Sequence, residues 1–304
     1  VIDEATIRDR LHPDSLPDLL VRLGFHDDDA VEAVAAADRV RRRRSDLAVV
    51  ARSASLLAEG VGIFRPTAPD PWQDLPEGRE DLALLALLAS VDEVRAEHAR
   101  RRIPDAISWG SLADLGQQVS VNRLTHGRFG LDTYGWMRTA WSGGLMWLGR
   151  LEFVPKPSAS GWVLDTHIPA SGPLTPESVD AAFAAAAPFF ARHFPDCPVT
   201  AFACTSWLLD PTIADLLPAS SNLVQFQRRW TLAGSGYRSD ESVIYFAFNV
   251  RSDPEDPIDP RTLTARTSLQ RAVVDHLVAG GHWSAWSGTA PLPDPTPTPD
   301  APDA

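Results

Sequence analysis

The sequence predicts a mixed α/β (α+β) chain in two parts, a helical N-terminal region followed by a mixed sheet flanked by helices. Nine of the ten tryptophans lie beyond position 105, whereas the first hundred residues hold only Trp72 and are rich in Ala, Leu, Arg and Asp. The hydrophobic period changes in the same region, from the 3.6-residue spacing of amphipathic helices to short aromatic and β-branched runs. These two changes place a helical domain over 1–104 and an α/β domain over 105–288. The acidic, Pro-rich stretch 289–304 is expected to be a disordered tail.

Each element of the first part follows from helix signals. Leu16, Leu19, Leu20 and Leu23 recur at helical spacing and Gly24 stops the run. "DDDAVEAVAAADRVRRRR" carries acids at its start and arginines at its end, as the helix dipole favours. "SDLAVVARSASLLAEG" follows, with Ser45 as cap and Gly60 as stop. A Pro-rich connector precedes one long helix, "REDLALLALLASVDEVRAEHARRR", and "SWGSLADLGQQVSVNRL" adds another.

In the second part, "YGWMRTAWSG" and "LMWLGRLEFVP" read as a β-hairpin around Gly143 and Gly144, and "GWVLDTHIP" as a third strand. Thr175 as cap and Pro176 at the first helical position start an amphipathic helix with Val179, Phe183, Ala187, Phe190 and Phe194 on one face. "PVTAFACTSWLL" is apolar on both faces, the pattern of a central covered strand. "PTIADLLPASSNLVQFQRRW" is a helix broken at Pro218, "SVIYFAFNV" a further strand, and "RTLTARTSLQRAVVDHLVAGG" a late helix.

Composition narrows the function. A formal net charge of −12 in 304 residues excludes unspecific attraction to nucleic acid or an anionic membrane. No apolar run approaches the length of a membrane span, and the opening residues show no secretory signal, so a cytoplasmic location is expected. Cys197 and Cys204 form no ligand pattern with histidines, and no metal is expected. Lys156 is the sole lysine.

The order hairpin, strand, helix, central strand, broken helix, strand, together with "GRLEF", "HIPASGPLTPESVD", "SWLLDP", "LPASSNLVQFQRRW" and "LQRAVVDHLVAGGHW", is similar to actinobacterial acyltransferase-domain proteins. These join an N-acyltransferase N-terminal domain to a GNAT-like C-terminal domain. The resemblance covers the chain except its tail. It implies a GNAT-like mixed sheet, acyl-CoA as co-substrate entering where two parallel strands splay apart, and a small-molecule or peptide amine as acceptor. It also implies that 161–168 and 199–206 run side by side and diverge. One departure stands out: GNAT enzymes hold the pyrophosphate on a Q/R-x-x-G-x-G/A loop, and "ASGPLTP" lacks it, its prolines removing amide donors.

Within this frame Ile168, Ser171, Gly172, Leu174 and Thr175 fall at the coenzyme's phosphate end, and Asn222 near the following helix start. Asp165 and His167 alternate onto one strand face and are the first candidates for a general base, with a simple backbone hydrogen bond as the bland use of His167. Glu152 is a further catalytic candidate, although a cross-face or solvated ion pair with Arg150 is the commoner use of such a residue. Cys204 and Ser206 share a face; a buried inert thiol is the commoner role for the first, and no G-x-S-x-G elbow accompanies the second. Trp136, Trp141 and Trp147 line an acceptor pocket or pack the core, while His276 and His282 suit core or surface roles. A non-catalytic GNAT-fold binding or regulatory protein is the alternative function, and a homodimer through the helical part is compatible with either.

Overall fold

The computed structural model describes residues 1–65 and 67–293. Its first part is helical: α1 (Glu4–Arg10), α2 (Leu16–Arg22), α3 (Asp27–Arg41), α4 (Arg44–Gly60), α5 (Glu80–Ala89), α6 (Val91–Arg100), α7 (Asp105–Leu112), α8 (Asp114–His126) and α9 (Tyr134–Trp141). α5 is buried at every position from Leu82 to Ala89, as a helix apolar all round must be. α1, α3, α4, α6 and α9 pack against it, and the remaining helices add residues to the same core.

Several expectations change here. The long helix over 79–102 breaks at Ser90, whose hydroxyl donates to the carbonyls of Ala86 (2.8 Å) and Leu87 (3.3 Å). Such back-bonding competes with the helix ladder. Ser45, expected as a cap, lies inside the first turn of α4. The helix expected over 108–124 is two, α7 and α8, meeting at Ala113. Gly116 is required there: its N–H donates to the Leu23 carbonyl (3.0 Å), and a Cβ would sit 2.2 Å from the Gly24 carbonyl carbon.

Residues 134–141, expected as a strand, form α9 because Met137, Ala140 and Trp141 bury one helical face in the core, where the Trp141 indole donates to the Leu87 carbonyl (3.0 Å). The hairpin is therefore shorter and later. It comprises β1 (Met146–Leu148) and β2 (Leu151–Ser158), turning at Gly149, whose φ of 66° suits glycine.

Next come β3 (Gly161–His167), α10 (Pro176–His193), β4 (Val199–Ser206), a 3-10 turn at Trp207–Leu209, α11 (Thr212–Leu216), α12 (Asn222–Gln227), β5 (Thr231–Arg238), α13 (Asp240–Phe248), α14 (Ser268–Val278) and β6 (Ser284–Pro291). The sheet order is β1-β2-β3-β4-β6-β5, with β3 and β4 parallel and the other pairs antiparallel. "SVIYFAFNV", expected as a strand, belongs to helix α13, which opens on Asp240 and Glu241 and ends at Asn249 in the left-handed region. Strands β5 and β6 take its place in the sheet. β6 also absorbs Thr289 to Pro291; the rest of the Pro-rich stretch, from 294, lies outside the described residues.

Register separates the two faces of the sheet. Phe153, Leu164, Phe202 and Cys204 turn toward α10, where Phe183 stacks on Phe202 at 4.3 Å. The opposite face carries Glu152, Val154 and Lys156 of β2 against His167, Asp165 and Val163 of β3. β4 is central in order but covered on one side only. Its other side presents Ala201, Ala203 and Thr205, partly or fully open to solvent. β1 reaches only as far as Phe153, so β2 is an edge beyond it, where Pro155 and Pro157 cost no ladder bond.

Candidate functional site

β3 and β4 run parallel and are paired at Trp162/Val199, Leu164/Phe202 and Asp165/Ala203. Past that point Thr166 and His167 pair only with β2, and Cys204 to Ser206 only with β6, so the strands part at their C-terminal ends. Parting parallel strands at their carboxyl ends form the place where α/β sheets receive ligands.

Beside the gap, on the face away from α10, lies a cleft of about 500 Å³. Its floor is Val154, Lys156, Asp165 and His167; its walls, among them Leu57, Phe64 and Trp136, come from the helical part. Trp136 lies on the His167 ring with centroids 4.5 Å apart. Its indole N–H donates to Asp114 Oδ2 (2.9 Å), while Gln118 donates to Asp114 Oδ1 (3.0 Å). Asp114 is fully buried, and burial raises its pKa against the pull of both donors. Sequence reasoning passed over Asp114 and Gln118, since only the fold of α8 against α9 brings them to Trp136.

His167 Nε2 is sealed from solvent without a hydrogen-bond partner, although the side chain as a whole is part-exposed. It stands 3.6 Å from Asp165 Oδ2, too far for a hydrogen bond. Burial lowers the imidazole's pKa; Lys156 adds to this and Asp165 opposes it, so the ring is neutral near pH 7. The same Asp165 oxygen accepts from Lys156 Nζ at 2.9 Å. The expected Asp165–His167 pair is thus a three-member row with lysine at its other end.

Glu152 sits directly across from His167 in the β2–β3 register and is buried, with Oε1 unpartnered. Its pKa is raised well above the ordinary value by burial, then by Asp114; Arg150 opposes the shift. The expected Glu152–Arg150 ion pair does not form. Arg150 lies in the hairpin turn and donates to the carbonyls of Pro169 (2.9 Å), Gly172 (2.7 Å) and Pro173 (3.2 Å) and to Ser171 Oγ (3.4 Å).

Arg150 therefore fixes the loop expected at the coenzyme's phosphate end. The Ser171 amide is used within that loop, on the Pro169 carbonyl, and Gly172 holds a φ of 123°. Leu174 is buried in the core under α10, and Ile168 packs against it. Thr175 Oγ1 accepts from the Ser178 amide as the cap of α10. Asn222 opens α12, whose cap is Ser221. Arg229 beyond α12 bonds Asp180 (2.7 Å) and the Pro176 carbonyl (3.2 Å), holding that segment beside the start of α10.

Other candidates fall elsewhere. Cys204 is buried beneath α10, and burial pushes its thiol pKa upward, away from nucleophilic thiolate. Ser206 Oγ accepts from the Leu208 amide (3.1 Å). Trp141 reaches the cleft edge from the helical core, whereas Trp147 donates to the Gly149 carbonyl in the hairpin turn. His276 packs on Trp283, and His282 pairs with Asp240. Among the described residues no cluster of three or more His, Cys, Asp or Glu side chains could hold a metal ion, and no helix is long and apolar enough to cross a membrane.

An N-acyltransferase N-terminal domain matches residues 14–143 and a GNAT-like C-terminal domain matches residues 145–290. Among solved structures, an acyltransferase in complex with decanoyl-CoA and teicoplanin is 33% identical over 92% of this chain and 88% of its own, with a TM-score of 0.83. An acyltransferase in complex with decanoyl-CoA is 30% identical over 96% of this chain and 100% of its own, also at 0.83. A mutant acyltransferase bound to octanoyl-CoA is 32% identical over 92% and 88%, again at 0.83. No curated protein matches the sequence. With both domains in order and relatives this similar over nearly the whole chain, the protein belongs to the acyltransferase family that joins an N-acyltransferase N-terminal domain to a GNAT-like C-terminal domain.

Proposed function

We propose that the chain is an N-acyltransferase that moves a medium-length acyl group from acyl-CoA to the amine of a small-molecule acceptor. The observation that carries this reading is the neutral His167 imidazole, held under Trp136 beside the point where β3 and β4 part. Decanoyl-CoA and octanoyl-CoA in the similar structures support the acyl length, and teicoplanin in one of them supports an acceptor of antibiotic size rather than a protein.

His167 takes the proton that the acceptor ammonium must lose before attack; a positioned base of this kind contributes about 10²- to 10⁴-fold. Asp165 favours the imidazolium that results. Backbone N–H groups of β3 near the point where pairing with β4 stops can meet the thioester oxygen as charge develops on it. Apolar walls such as Leu57 and Phe64 give an alkyl chain a place out of water. Arg150 braces the loop 169–173, and the start of α10 behind it favours negative phosphate charge.

Thiol release from decanoyl-CoA, followed over a panel of primary amines that includes teicoplanin, tests the proposal. Amine-dependent release that falls at least about a hundredfold in His167→Asn is expected. Binding without turnover on any amine would instead mark a non-catalytic binding protein.

A further inference from the structure

The cleft holds one reactive group that the proposed reaction leaves idle. Lys156 is the chain's only lysine, and it lines the cleft with Asp165 and His167. Its Nζ is 2.9 Å from Asp165 Oδ2, the oxygen that lies 3.6 Å from His167 Nε2. Its side chain is 54% exposed, so the ammonium is tethered but not packed. Pro155 and Pro157 flank it on the free edge of β2, which stiffens the backbone while the four-carbon stem stays able to swing. An amine acyltransferase asks the same of its acceptor: a primary alkylammonium held on a carboxylate next to a neutral imidazole.

We infer that Lys156 is an internal acyl acceptor, acylated on Nζ by bound medium-chain acyl-CoA when no amine substrate occupies the cleft. The inference rests on the proposed acyltransferase activity and deepens it by making that site self-limiting. In the step, the Nζ–carbonyl carbon bond forms and the carbonyl carbon–sulfur bond breaks. The lysine ammonium gives up two protons, one through His167 to solvent and one to the departing sulfur, so the products are an amide, free coenzyme A thiol and one proton. The amide is stable, and the modification removes the charge that pairs with Asp165. It also leaves an alkyl chain in the cleft that the next substrate would need. Acylation of this kind happens once per molecule and shuts the site, while an external amine, by occupying the cleft, protects it.

The experiment incubates the whole protein with decanoyl-CoA and no amine, then reads intact mass, peptide position and remaining activity. One decanoyl group per chain, mapped to Lys156, is expected, with activity falling in step. Lys156→Arg keeps a positive charge opposite Asp165 but is not acylated there, and it should hold its own starting activity throughout the same incubation. His167→Asn should slow adduct formation at least about a hundredfold. Adduct spread over the α-amino group and hydroxyls, or formed equally fast in His167→Asn, overturns the inference as simple chemical acylation. An unmodified wild type that still releases thiol to added amines overturns it while leaving the acyltransferase reading intact. If no amine supports thiol release, that reading fails with it.

Discussion

Replacing Trp136 by Phe isolates one bond in the support of the candidate base. Phenylalanine keeps an aromatic ring over His167 but deletes the N–H that meets Asp114 Oδ2 at 2.9 Å. Asp114 is fully buried and has one other donor, Gln118, on its other oxygen, so Oδ2 is left unpaired out of water. A hydrogen bond to a charged, buried group is worth about 1.5–3 kcal/mol. Trp136→Phe should therefore cost about 2 kcal/mol, a fall in Tm of about 3 °C for a chain of this size. Urea unfolding of the single variants, of Asp114→Asn, and of the double variant closes a double-mutant cycle. The coupling should be about 1 kcal/mol or more, because a neutral amide in place of the carboxylate would demand its donor less strongly. In parallel, kcat should fall more than KM rises, since a loosened ring misplaces the imidazole without removing the cleft. Additivity within about 0.5 kcal/mol, or an unchanged kcat, would show that the Asp114–Trp136 bond supports neither the fold nor the base.

Other outcomes follow from the same geometry. Glu152 holds its proton more tightly folded than unfolded, so its contribution to stability is fullest below the unfolded carboxyl value and is lost as pH rises through the folded one. Glu152→Gln, with no proton to lose, should gain in Tm over wild type as pH climbs from 4 to 8 in thermal melts; a constant difference would contradict this. The acidic limb of kcat/KM should lie below pH 6.5, the ordinary imidazole value, because burial lowers the His167 pKa. Asp165→Asn removes the carboxylate that opposes that shift and should move the limb lower still; an upward movement in the pH–rate profile would reverse the assignment. Arg150→Ala frees the carbonyls of 169, 172 and 173 and should raise KM for decanoyl-CoA roughly tenfold, the worth of about one net hydrogen bond. A change confined to the acceptor's KM would mean that the loop does not serve the acyl donor.

Much of this architecture was legible because it rests on local signals. Thr175 with Pro176, the break at Pro218 and the leucines of α2 each act within a turn or two of the chain, and the structure places caps and helices there. Two failures share one cause. The runs at 134–141 and 242–248 are aromatic and apolar enough to suit a strand, yet burial of one helical face decides for helix in both. Conversely, β5 is almost wholly exposed at the sheet edge and rich in glycine and serine, so no alternating pattern advertises it. At the site, Asp165 and His167 were visible as a pair on one strand face. Lys156 was visible only as an oddity of composition, and nothing in the linear sequence ties Asp114, over fifty residues from His167, to the ring it supports through Trp136.

The imidazole comes from β3 of the sheet, while the indole that covers it comes from α9, which precedes the point near residue 144 where the two matched domains meet. Half of the imidazole's surroundings thus travels with each domain. A graft of one relative's helical half onto another's sheet would carry a foreign ceiling to a native floor, and such hybrids should differ in rate even where every residue of the sheet is kept.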